Sequence, residues 1–282
     1  MTMIEFRSVS KTYPGGVVAV RDFSLTIHSG RSVAFLGSSG SGKTTLLRMV
    51  NRMVDPTSGT VLIEGDDVLT RNAVELRRSI GYVLQAGGLM PHRTVADNIA
   101  TVPILNGIPR RQARATACEL LERVGLDPAL AQRYPFELSG GQQQRVGVAR
   151  ALAGDPKILL MDEPFGAVDP IVRRELQDEL IRLQDEIGKT MIFVTHDVDE
   201  AFRVADEVVV LQEGGQIAQY GTPEEIVASP ANEFVEKFIG ACQSERQLEI
   251  KLLNGRNVVL DAAGTPLGVV KGAPTLDRQG AL

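Results

Sequence analysis

The sequence is poor in the features that mark secreted, metal-binding and membrane-spanning chains. It has only two cysteines, Cys118 and Cys242, whose separation fits neither a disulfide framework nor a zinc site. No apolar run approaches the roughly 18–20 residues that a membrane-spanning helix needs. The first residues also lack a signal-peptide pattern. We therefore expect a cytosolic protein, unless a partner holds it at a membrane.

An excess of positive charge, internal repeats and low-complexity segments are also missing. The formal net charge of -5 argues against non-specific binding to nucleic acid, which usually needs a basic surface. Hydrophobic and charged residues make up 43% and 23% of the chain, which is ordinary for a globular protein. A length of 282 residues allows one large domain or two modest ones with a substantial core.

What the chain does contain is a glycine-rich loop that matches the phosphate-loop pattern G-x-x-x-x-G-K-[ST]. The loop consists of Gly37, Ser38, Ser39, Gly40, Ser41, Gly42, Lys43, Thr44 and Thr45. An apolar run at residues 33–36 predicts a buried strand before it, and helical spacing of apolar residues between Leu46 and Val54 predicts a helix after it. The order of strand, glycine turn and helix is the context that the pattern requires.

The residue types of this loop suit a nucleotide phosphate. Glycines let the backbone turn its N–H groups inward, and the helix N-terminus adds free donors and partial positive charge. We expect Lys43 to reach the β- and γ-phosphates and the Thr44 hydroxyl to ligate Mg²⁺. The alternative is a turn that binds nothing, and the flanking strand and helix argue against it.

Two further residues stand at the ends of predicted strands. Residues 3–27 predict two antiparallel strands joined by a loop that contains Tyr13, whose ring could stack on an adenine base or simply pack. Residues 80–84 predict another strand, which ends at Gln85. A glutamine there can bind Mg²⁺ or the attacking water, and a surface glutamine is the alternative.

A helical region of about residues 95–150 is predicted as an insertion in the α/β core. It contains a helix from Arg110 to Val124, with the small residue Cys118 expected on its apolar side. The region ends in a serine and two glycines that precede another helix, which makes a second helix N-terminus suited to an anion. Its residues are Ser139, Gly140, Gly141 and Gln142.

Two acids and a histidine follow buried strands farther along the chain. The apolar run at residues 158–161 ends in Asp162 and Glu163, which suit Mg²⁺ coordination and polarisation of the attacking water. A strand-terminal acidic turn is the alternative. The run at residues 191–195 ends at His196, which is either a capped surface group or, on the same sheet edge, a contact to the terminal phosphate.

These motifs, in this order, resemble the nucleotide-binding subunit of an ATP-binding cassette (ABC) transporter. The resemblance covers residues 3 to about 240 and also includes Leu138 and Asp169. It implies an α/β fold: a P-loop NTPase (ABC ATPase) core with an antiparallel β subdomain, a helical signature subdomain and a short C-terminal β-hairpin-like extension. We expect the ATP-binding domain at residues 1–240 and the extension at residues 241–282.

The same resemblance implies a pair of chains that meet head to tail around two ATP molecules. Each ATP lies between one copy's phosphate loop and the other copy's Ser139, Gly140 and Gly141, with Gln142 also among the nucleotide-binding residues. Such an isologous pair is a homodimer that completes both sites.

Individual roles in ATP hydrolysis are implied as well. Tyr13 is expected to stack on the adenine, and residues 37–45 to hold the phosphates. Thr44, Gln85 and Asp162 are expected to bind Mg²⁺. Glu163 is implied as general base, His196 as the sensor of the γ-phosphate, and Asp169 as part of the loop that links the two sites.

A finer resemblance is to importers of quaternary-amine osmoprotectants such as glycine betaine, choline, carnitine or proline betaine. It rests on residues 76–85, 88–92, 133–135, 162–170 and 230–235, and related amino-acid importers share parts of these segments. It implies a peripheral ATPase on the cytoplasmic side of the cell membrane. The implied partners are separate permease subunits and, indirectly, a solute-binding protein.

The C-terminal extension departs from that subfamily. Many of its cassettes end in two CBS domains, and residues 241–282 are too few for one. Residues 248–260 predict a hairpin around Asn254-Gly255, and residues 257–270 resemble one strand-turn-strand of a CBS domain.

Two other functions compete with transport. Soluble ABC ATPases of DNA repair or of the ribosome carry long coiled-coil insertions or two cassettes, which this sequence lacks. A non-catalytic nucleotide-regulated module is expected to lack Glu163 or His196, and both are present. The residues therefore favour a transport ATPase.

Overall fold

The computed structural model describes residues 1–85, 87–166, 168–243, 249–253, 256–260 and 266–269. The chain divides into two compact units, Met1–Ser229 and Pro230–Leu282. The first unit therefore ends ahead of residue 240, where the sequence analysis placed the domain boundary.

The strands of the described residues alternate with helices along most of the first unit. In chain order they are β1 (Thr2–Thr12), β2 (Val18–His28), β3 (Ser32–Gly37), β4 (Ser58–Ile63), β5 (Asp66–Asp67), β6 (Ile80–Val83), β7 (Ile158–Asp162), β8 (Thr190–Thr195), β9 (Glu207–Leu211), β10 (Ile217–Gly221), β11 (Glu249–Leu253), β12 (Arg256–Leu260) and β13 (Pro266–Val269). The helices are α1 (Lys43–Val50), α2 (Ala73–Ser79), α3 (Val95–Ile99), α4 (Thr101–Leu105), α5 (Arg110–Arg123), α6 (Gly140–Leu152), α7 (Pro170–Ile187), α8 (Val198–Val204), α9 (Pro223–Ala228) and α10 (Glu233–Gln243).

The centre of the first unit is a six-stranded sheet with the order β10-β9-β3-β8-β7-β6. Its strands run parallel except for β10, which pairs with β9 as an antiparallel hairpin. Every residue of β3, β7 and β8 is buried. Continuous apolar runs are typical of parallel strands that are covered on both faces.

A second sheet of the first unit is antiparallel, with the order β2-β1-β4-β5. The predicted pairing of the first two strands is confirmed, with Phe6 opposite Leu25 and Ile4 opposite Ile27. The separate three-stranded sheet of the second unit has the order β11-β12-β13. The predicted hairpin of β11 and β12 is present, and its turn at Asn254-Gly255 lies outside the described residues.

The helices α3 to α6 occupy the stretch that the sequence predicts as a helical insertion. The face of α5 that carries Ala113, Ala117 and Leu121 is buried, as predicted. Cys118 is only half-buried, so the expectation of a core residue is wrong. One residue on from Ala117, its side chain points about 100° away from that face.

Several short helices have no counterpart in the sequence analysis. α2, α3 and α8 span only five to seven residues each, which is too few for a clear apolar period. They begin at side-chain caps instead: Asn72, Thr94 and Asp197 each accept a hydrogen bond from a backbone N–H of the first turn. No helix in the described part of the chain combines the length and the apolar character that crossing a membrane requires.

The helix after the phosphate loop is shorter than its apolar pattern indicates. α1 ends at Val50, and Arg52 follows with a left-handed φ of 57°. The N–H groups of Arg52 and Met53 then donate to the carbonyls of Met49 and Arg48. Met53 is 51% exposed, so it does not continue the buried face.

Three phenylalanines join the two sheets of the first unit. The rings of Phe6 on β1 and Phe23 on β2 meet edge to face at 5.1 Å, and Phe23 lies 6.0 Å from Phe35 on β3. All three side chains are buried. The cluster fixes the antiparallel sheet against the sheet that carries the phosphate loop.

We predict that Phe23→Ala lowers the free energy of unfolding by about 3–5 kcal/mol, because it removes a buried ring and leaves a cavity. Urea denaturation followed by circular dichroism measures this loss. The matched control is Phe136→Ala, at a ring that is 77% exposed, which should change stability by at most about 0.5 kcal/mol. Equal losses in the two variants would contradict the role of the cluster.

Candidate functional site

The parallel pairing of the central strands gathers the predicted site at one edge of the sheet. β3 lies beside β8, and β8 lies beside β7, so their carboxyl ends are neighbours. β3 leads into the phosphate loop, β8 into His196, and β7 ends at Asp162. β6, next to β7, leads to Gln85. Residues that lie far apart in sequence therefore face the same space, as is usual for ligand sites of α/β sheets.

The glycines at the ends of the loop are required by close backbone contacts. A Cβ atom on Gly37 would lie 2.6 Å from the carbonyl oxygen of Leu211. Gly42 has a φ of +89°, and a Cβ there would lie 2.5 Å from the carbonyl oxygen of Ala19. Gly40 also has positive φ but has open space around it, so the loop is exposed at residues 38–40. The glycines thus leave the backbone of the phosphate loop without side chains where an anion would approach.

The N-terminus of α1 opens directly into this loop. Gly42 is its N-cap residue and supplies no side-chain hydrogen bond to the first turn. The first backbone N–H groups of the helix consequently have no side-chain acceptor, and they add their partial positive charge at the loop. The arrangement suits phosphate oxygens.

Lys43 lies inside the loop rather than in solvent. Its ammonium group donates at 2.7 Å to the carbonyl oxygens of Gly37 and Ser38, and the residue is only 6% exposed. Burial lowers the pKa of Lys43, while the carboxylates of Glu163 and Asp162 raise it. A desolvated ammonium held between carbonyls is a strong partner for a multiply charged phosphate.

Asp162 is buried at the end of β7 and has three partners. The Thr44 hydroxyl donates to Oδ1 at 3.1 Å, while the Tyr82 hydroxyl at 3.2 Å and the Arg48 guanidinium at 3.3 Å donate to Oδ2. Burial, with the neighbouring Asp162 charge, raises the pKa of Tyr82 to about 12, so its hydroxyl stays protonated and donating. The sequence analysis missed Arg48 and Tyr82. A phenol within an otherwise apolar strand was the signal for Tyr82.

Glu163 is held in an unusual backbone conformation. Its φ is +46°, which costs a non-glycine residue about 1–3 kcal/mol and is common at functional sites. The Glu163 N–H donates to the carbonyl of Val194, and the Glu163 carbonyl accepts from the N–H of Gly166. These bonds fix the turn that directs the carboxylate out of the sheet edge.

The carboxylate of Glu163 lies between two other predicted residues. The Gln85 side-chain amide donates to Oε2 at 2.9 Å, and Nδ1 of His196 lies 3.6 Å from Oε1. His196 is itself exposed, so it can reach a ligand at the edge of the site. Gln85, Glu163 and His196 form one group, which we call the acid-end cluster.

The loop after Gln85 is tied to α6 by Arg150. Its guanidinium donates at 2.7 Å to the carbonyl oxygens of both Gly87 and Gly88. A Cβ atom on Gly147 would lie 3.2 Å from Gly87, so the helix and the loop pack backbone to backbone. The sequence analysis missed Arg150 because only the folded chain brings α6 against this loop.

Tyr13 reaches the phosphate loop from the antiparallel sheet. Its hydroxyl lies 3.4 Å from the hydroxyl of Thr45, and the ammonium of Lys11 lies 5.3 Å from the centre of its ring. An adenine next to the loop would be within reach of this ring.

The Ser139 segment begins α6 with the reciprocal hydrogen bonds of a capping box. Ser139 Oγ accepts from the N–H of Gln142 at 3.3 Å, and Gln142 Oε1 accepts from the N–H of Ser139 at 3.0 Å. Gly140 is exposed, and Gly141 is buried. A Cβ on Gly141 would lie 2.3 Å from Val172 on α7.

Asp169 caps α7, accepting from the N–H groups of Ile171 and Val172 at 3.1 Å.

The structure therefore separates the predicted residues into two groups. The phosphate loop, Tyr13, Asp162 and the acid-end cluster come together. Within the residues that the structure describes, no hydrogen bond or ion pair links Ser139, Gln142 or Asp169 to that group.

The donor set at the first group fits a hard cation. The Thr44 hydroxyl and an Asp162 carboxylate oxygen lie 3.1 Å apart, and Gln85, whose side-chain amide hydrogen-bonds Glu163, carries an amide oxygen. Hydroxyl, carboxylate and amide oxygens are ligands that Mg²⁺ accepts when phosphate and water complete its shell. No group of three histidine, cysteine, aspartate or glutamate side chains that could hold a metal occurs among the described residues. A cation at this place would thus depend on the nucleotide for part of its coordination.

Comparison with known proteins agrees with this geometry. A family model described as ABC transporter matches residues 20–166. The chain is 52% identical over 238 residues to the glycine betaine/carnitine/choline transport ATP-binding protein OpuCA of Bacillus subtilis, covering 84% of this chain and 62% of that protein. It is 47% identical over 256 residues to the glycine betaine uptake system ATP-binding protein YehX of Escherichia coli, covering 91% of this chain and 81% of the relative. The chain thus spans less than two thirds of OpuCA and more of YehX.

Solved structures resemble it in fold as well. The dimeric structure of a post-hydrolysis state of the ATP-binding cassette MJ0796 bound to ADP and Pi matches with a TM-score of 0.70 and 34% identity, covering 78% of this chain and 99% of that one. cbiO1 from Clostridium perfringens, part of the ABC transporter complex cbiONQ, matches with a TM-score of 0.74 and 29% identity, covering 87% and 96%. The chain therefore belongs to the ABC transporter family and carries its ATP-binding ATPase domain.

Proposed function

We propose that this chain is the ATP-hydrolysing subunit of an ABC importer that takes up a quaternary-amine osmoprotectant through separate membrane subunits. The observation that carries the proposal is the meeting of a phosphate loop, a buried aspartate and the acid-end cluster at one sheet edge. Nucleotide binding without hydrolysis would require only the phosphate loop. A carboxylate held beside it by an amide and an imidazole suits hydrolysis.

In this proposal, the loop and α1 bind the phosphates, and Tyr13 stacks on the adenine. Lys43 leaves its carbonyl partners for the β- and γ-phosphates. Thr44, Gln85 and Asp162 would hold Mg²⁺, which neutralises charge on the phosphates as the bond to the leaving group breaks. Arg48 and Tyr82 orient the Asp162 carboxylate through their hydrogen bonds.

Glu163 acts as general base in the same proposal. It accepts a proton from the water that attacks the γ-phosphorus, while the bond from that phosphorus to the bridging oxygen breaks and ADP leaves. The Gln85 amide orients the carboxylate, and His196 contacts the γ-phosphate. Because His196 also lies beside Glu163, it can report whether the γ-phosphate is present.

A second copy of the chain is proposed to complete each site. Ser139, Gly140, Gly141 and Gln142 begin a helix whose N-terminal donors suit an anion, and among the described residues no hydrogen bond joins Ser139 or Gln142 to the phosphate loop of their own chain. A head-to-tail pair would place them over the partner's nucleotide, and Asp169 between the two sites. The similar cassette MJ0796 is dimeric in a post-hydrolysis state bound to ADP and Pi, which supports a pair of chains here. ATP then favours closure by its higher affinity for the closed pair.

The cargo and the membrane partners are inferred from the relatives. OpuCA is a glycine betaine/carnitine/choline transport ATP-binding protein, and YehX is the ATP-binding protein of a glycine betaine uptake system. We propose the same substrate class here, with permease subunits that hold the chain at the cytoplasmic face of the cell membrane and a solute-binding protein that selects the cargo. An importer of another small solute, such as an amino acid, is the second candidate. A soluble ABC ATPase that acts on nucleic acid or ribosomes is a third.

We predict that Glu163→Gln lowers the steady-state rate of ATP hydrolysis at least about 100-fold, because the general base is lost. The variant should still bind ATP and accumulate as an ATP-bound dimer in analytical ultracentrifugation. Glu119→Gln, at an exposed position of α5, makes the same change away from the site and should keep the wild-type rate. A wild-type rate in Glu163→Gln would show that another group is the base.

A second prediction concerns the partner's contribution. Ser139→Arg places a long cation at the helix N-terminus that should meet the partner's nucleotide, so it should block ATP-dependent dimerisation. ATP binding by the single chain, measured with a fluorescent analogue, should stay within about twofold because the phosphate loop is untouched. Ser29→Arg, in an exposed turn, is the control. Normal dimerisation of Ser139→Arg would rule out the shared site.

A third prediction concerns the cargo. Cells that lack this chain should lose uptake of labelled glycine betaine or choline under high osmolarity, and the wild-type chain should restore it while Glu163→Gln does not. Loss of amino-acid uptake instead, with betaine uptake intact, would favour the second candidate.

A further inference from the structure

The first turn of α7 contacts two functional segments at once. On one side, Val172 packs against Gly141 so closely that a Cβ on the glycine would overlap it at 2.3 Å. On the other side, Arg173 points toward α8, which follows His196. The N–H of Arg173 donates to the carbonyl of Asp169 at 2.8 Å, so the turn also moves with that residue.

The backbone around His196 is held in place by the buried carboxylate of Glu200. Thr195 accepts from the N–H of Asp197 at 3.0 Å and donates to Oε2 of Glu200 at 2.6 Å. Glu200 is only 5% exposed, and Thr195 is 1% exposed. Burial raises the pKa of Glu200, and the hydrogen bond from Thr195 opposes that rise. The position of Glu200 therefore sets the position of both neighbours of His196.

Arg173 is the cation that faces this acid. Its Nε lies 3.6 Å from Oε1 of Glu200, and its Nη1 lies 3.7 Å from Oδ2 of Asp197. Both separations exceed a hydrogen bond, and the buried Nε has no hydrogen-bond partner among the described residues. A buried donor without an acceptor is rare in native proteins and calls for an explanation. A shift of well under 1 Å would satisfy it.

We infer that Arg173 and Glu200 form a latch between the first turn of α7 and the His196 peptide, and that Arg173 acts as a positioning residue for ATP hydrolysis. When a partner's nucleotide presses on the Ser139 helix, Gly141 moves Val172, and the same turn draws Arg173 onto Glu200. His196 is then set by what happens at the site on the opposite side of the dimer. This inference rests on the proposed two-site function and names the side chains that carry the coupling.

The test compares charge-removing changes at the two partners with a neighbouring control. Arg173→Gln and Glu200→Gln should each lower kcat for ATP hydrolysis about tenfold and leave KM within about twofold, because binding is made elsewhere. The double variant Arg173→Gln/Glu200→Gln removes the charges of both partners. Arg174→Gln changes the exposed arginine next in sequence and should behave as wild type.

The double variant separates positioning from packing. If the pair serves only stability, removing both charges should restore the melting temperature and kcat together, because no buried charge is left unpaired. A latch predicts that the melting temperature recovers while kcat stays about tenfold low. Recovery of both quantities would overturn the inference.

A measurement without turnover keeps the inference separate from the proposed function. Hydrogen exchange of the amides at residues 196–204 should quicken about tenfold in Arg173→Gln and remain unchanged in Arg174→Gln. If the wild-type chain hydrolyses no ATP, the proposed function fails, and the exchange result still decides whether the two segments are linked. Unchanged exchange in Arg173→Gln would contradict the latch.

Discussion

The parallel pairing of β3, β8 and β7 is the constraint on which the site depends. Their registers place the phosphate loop, His196 and Asp162 at neighbouring strand ends, although they are distant in sequence. The strands are buried along their whole length, so the register cannot slip without exposing apolar side chains. The Phe6–Phe23–Phe35 cluster then holds the antiparallel sheet, and with it Tyr13, against the same edge.

The acid-end cluster forms through the hydrogen bond from Gln85 to Glu163 and the close approach of His196, whereas the Ser139 segment makes its hydrogen bonds within α6. In the proposed two-copy site, hydrolysis would require that two chains meet, so that dimer closure and ATP hydrolysis are coupled. Glu163, with its left-handed backbone, lies 3.6 Å from His196, and Arg173, whose Nε has no hydrogen-bond partner among the described residues, lies near Asp197, the residue after His196.

Patterns that depend on local sequence were predictable, and contacts between distant segments were not. The strand, loop and helix around Lys43 have a fixed spacing, and the apolar runs before Asp162 and His196 mark buried strands. Arg48 and Arg150 carry no such pattern, because their partners lie far away in sequence and only the folded chain brings them together. The short helices α2, α3 and α8 each depend on a single capping side chain. The left-handed turn at Arg52 ends α1 before the last apolar residues of its helical pattern.

The most direct test of the two-copy site is a crystal structure of the chain with Mg²⁺ and a non-hydrolysable ATP analogue. We expect two chains with two nucleotides between them. Each γ-phosphate should contact Lys43 of one chain and Ser139 of the other, with the cation beside Thr44. A nucleotide held by one chain alone, with Ser139 of every neighbouring copy remote from it, would contradict the account.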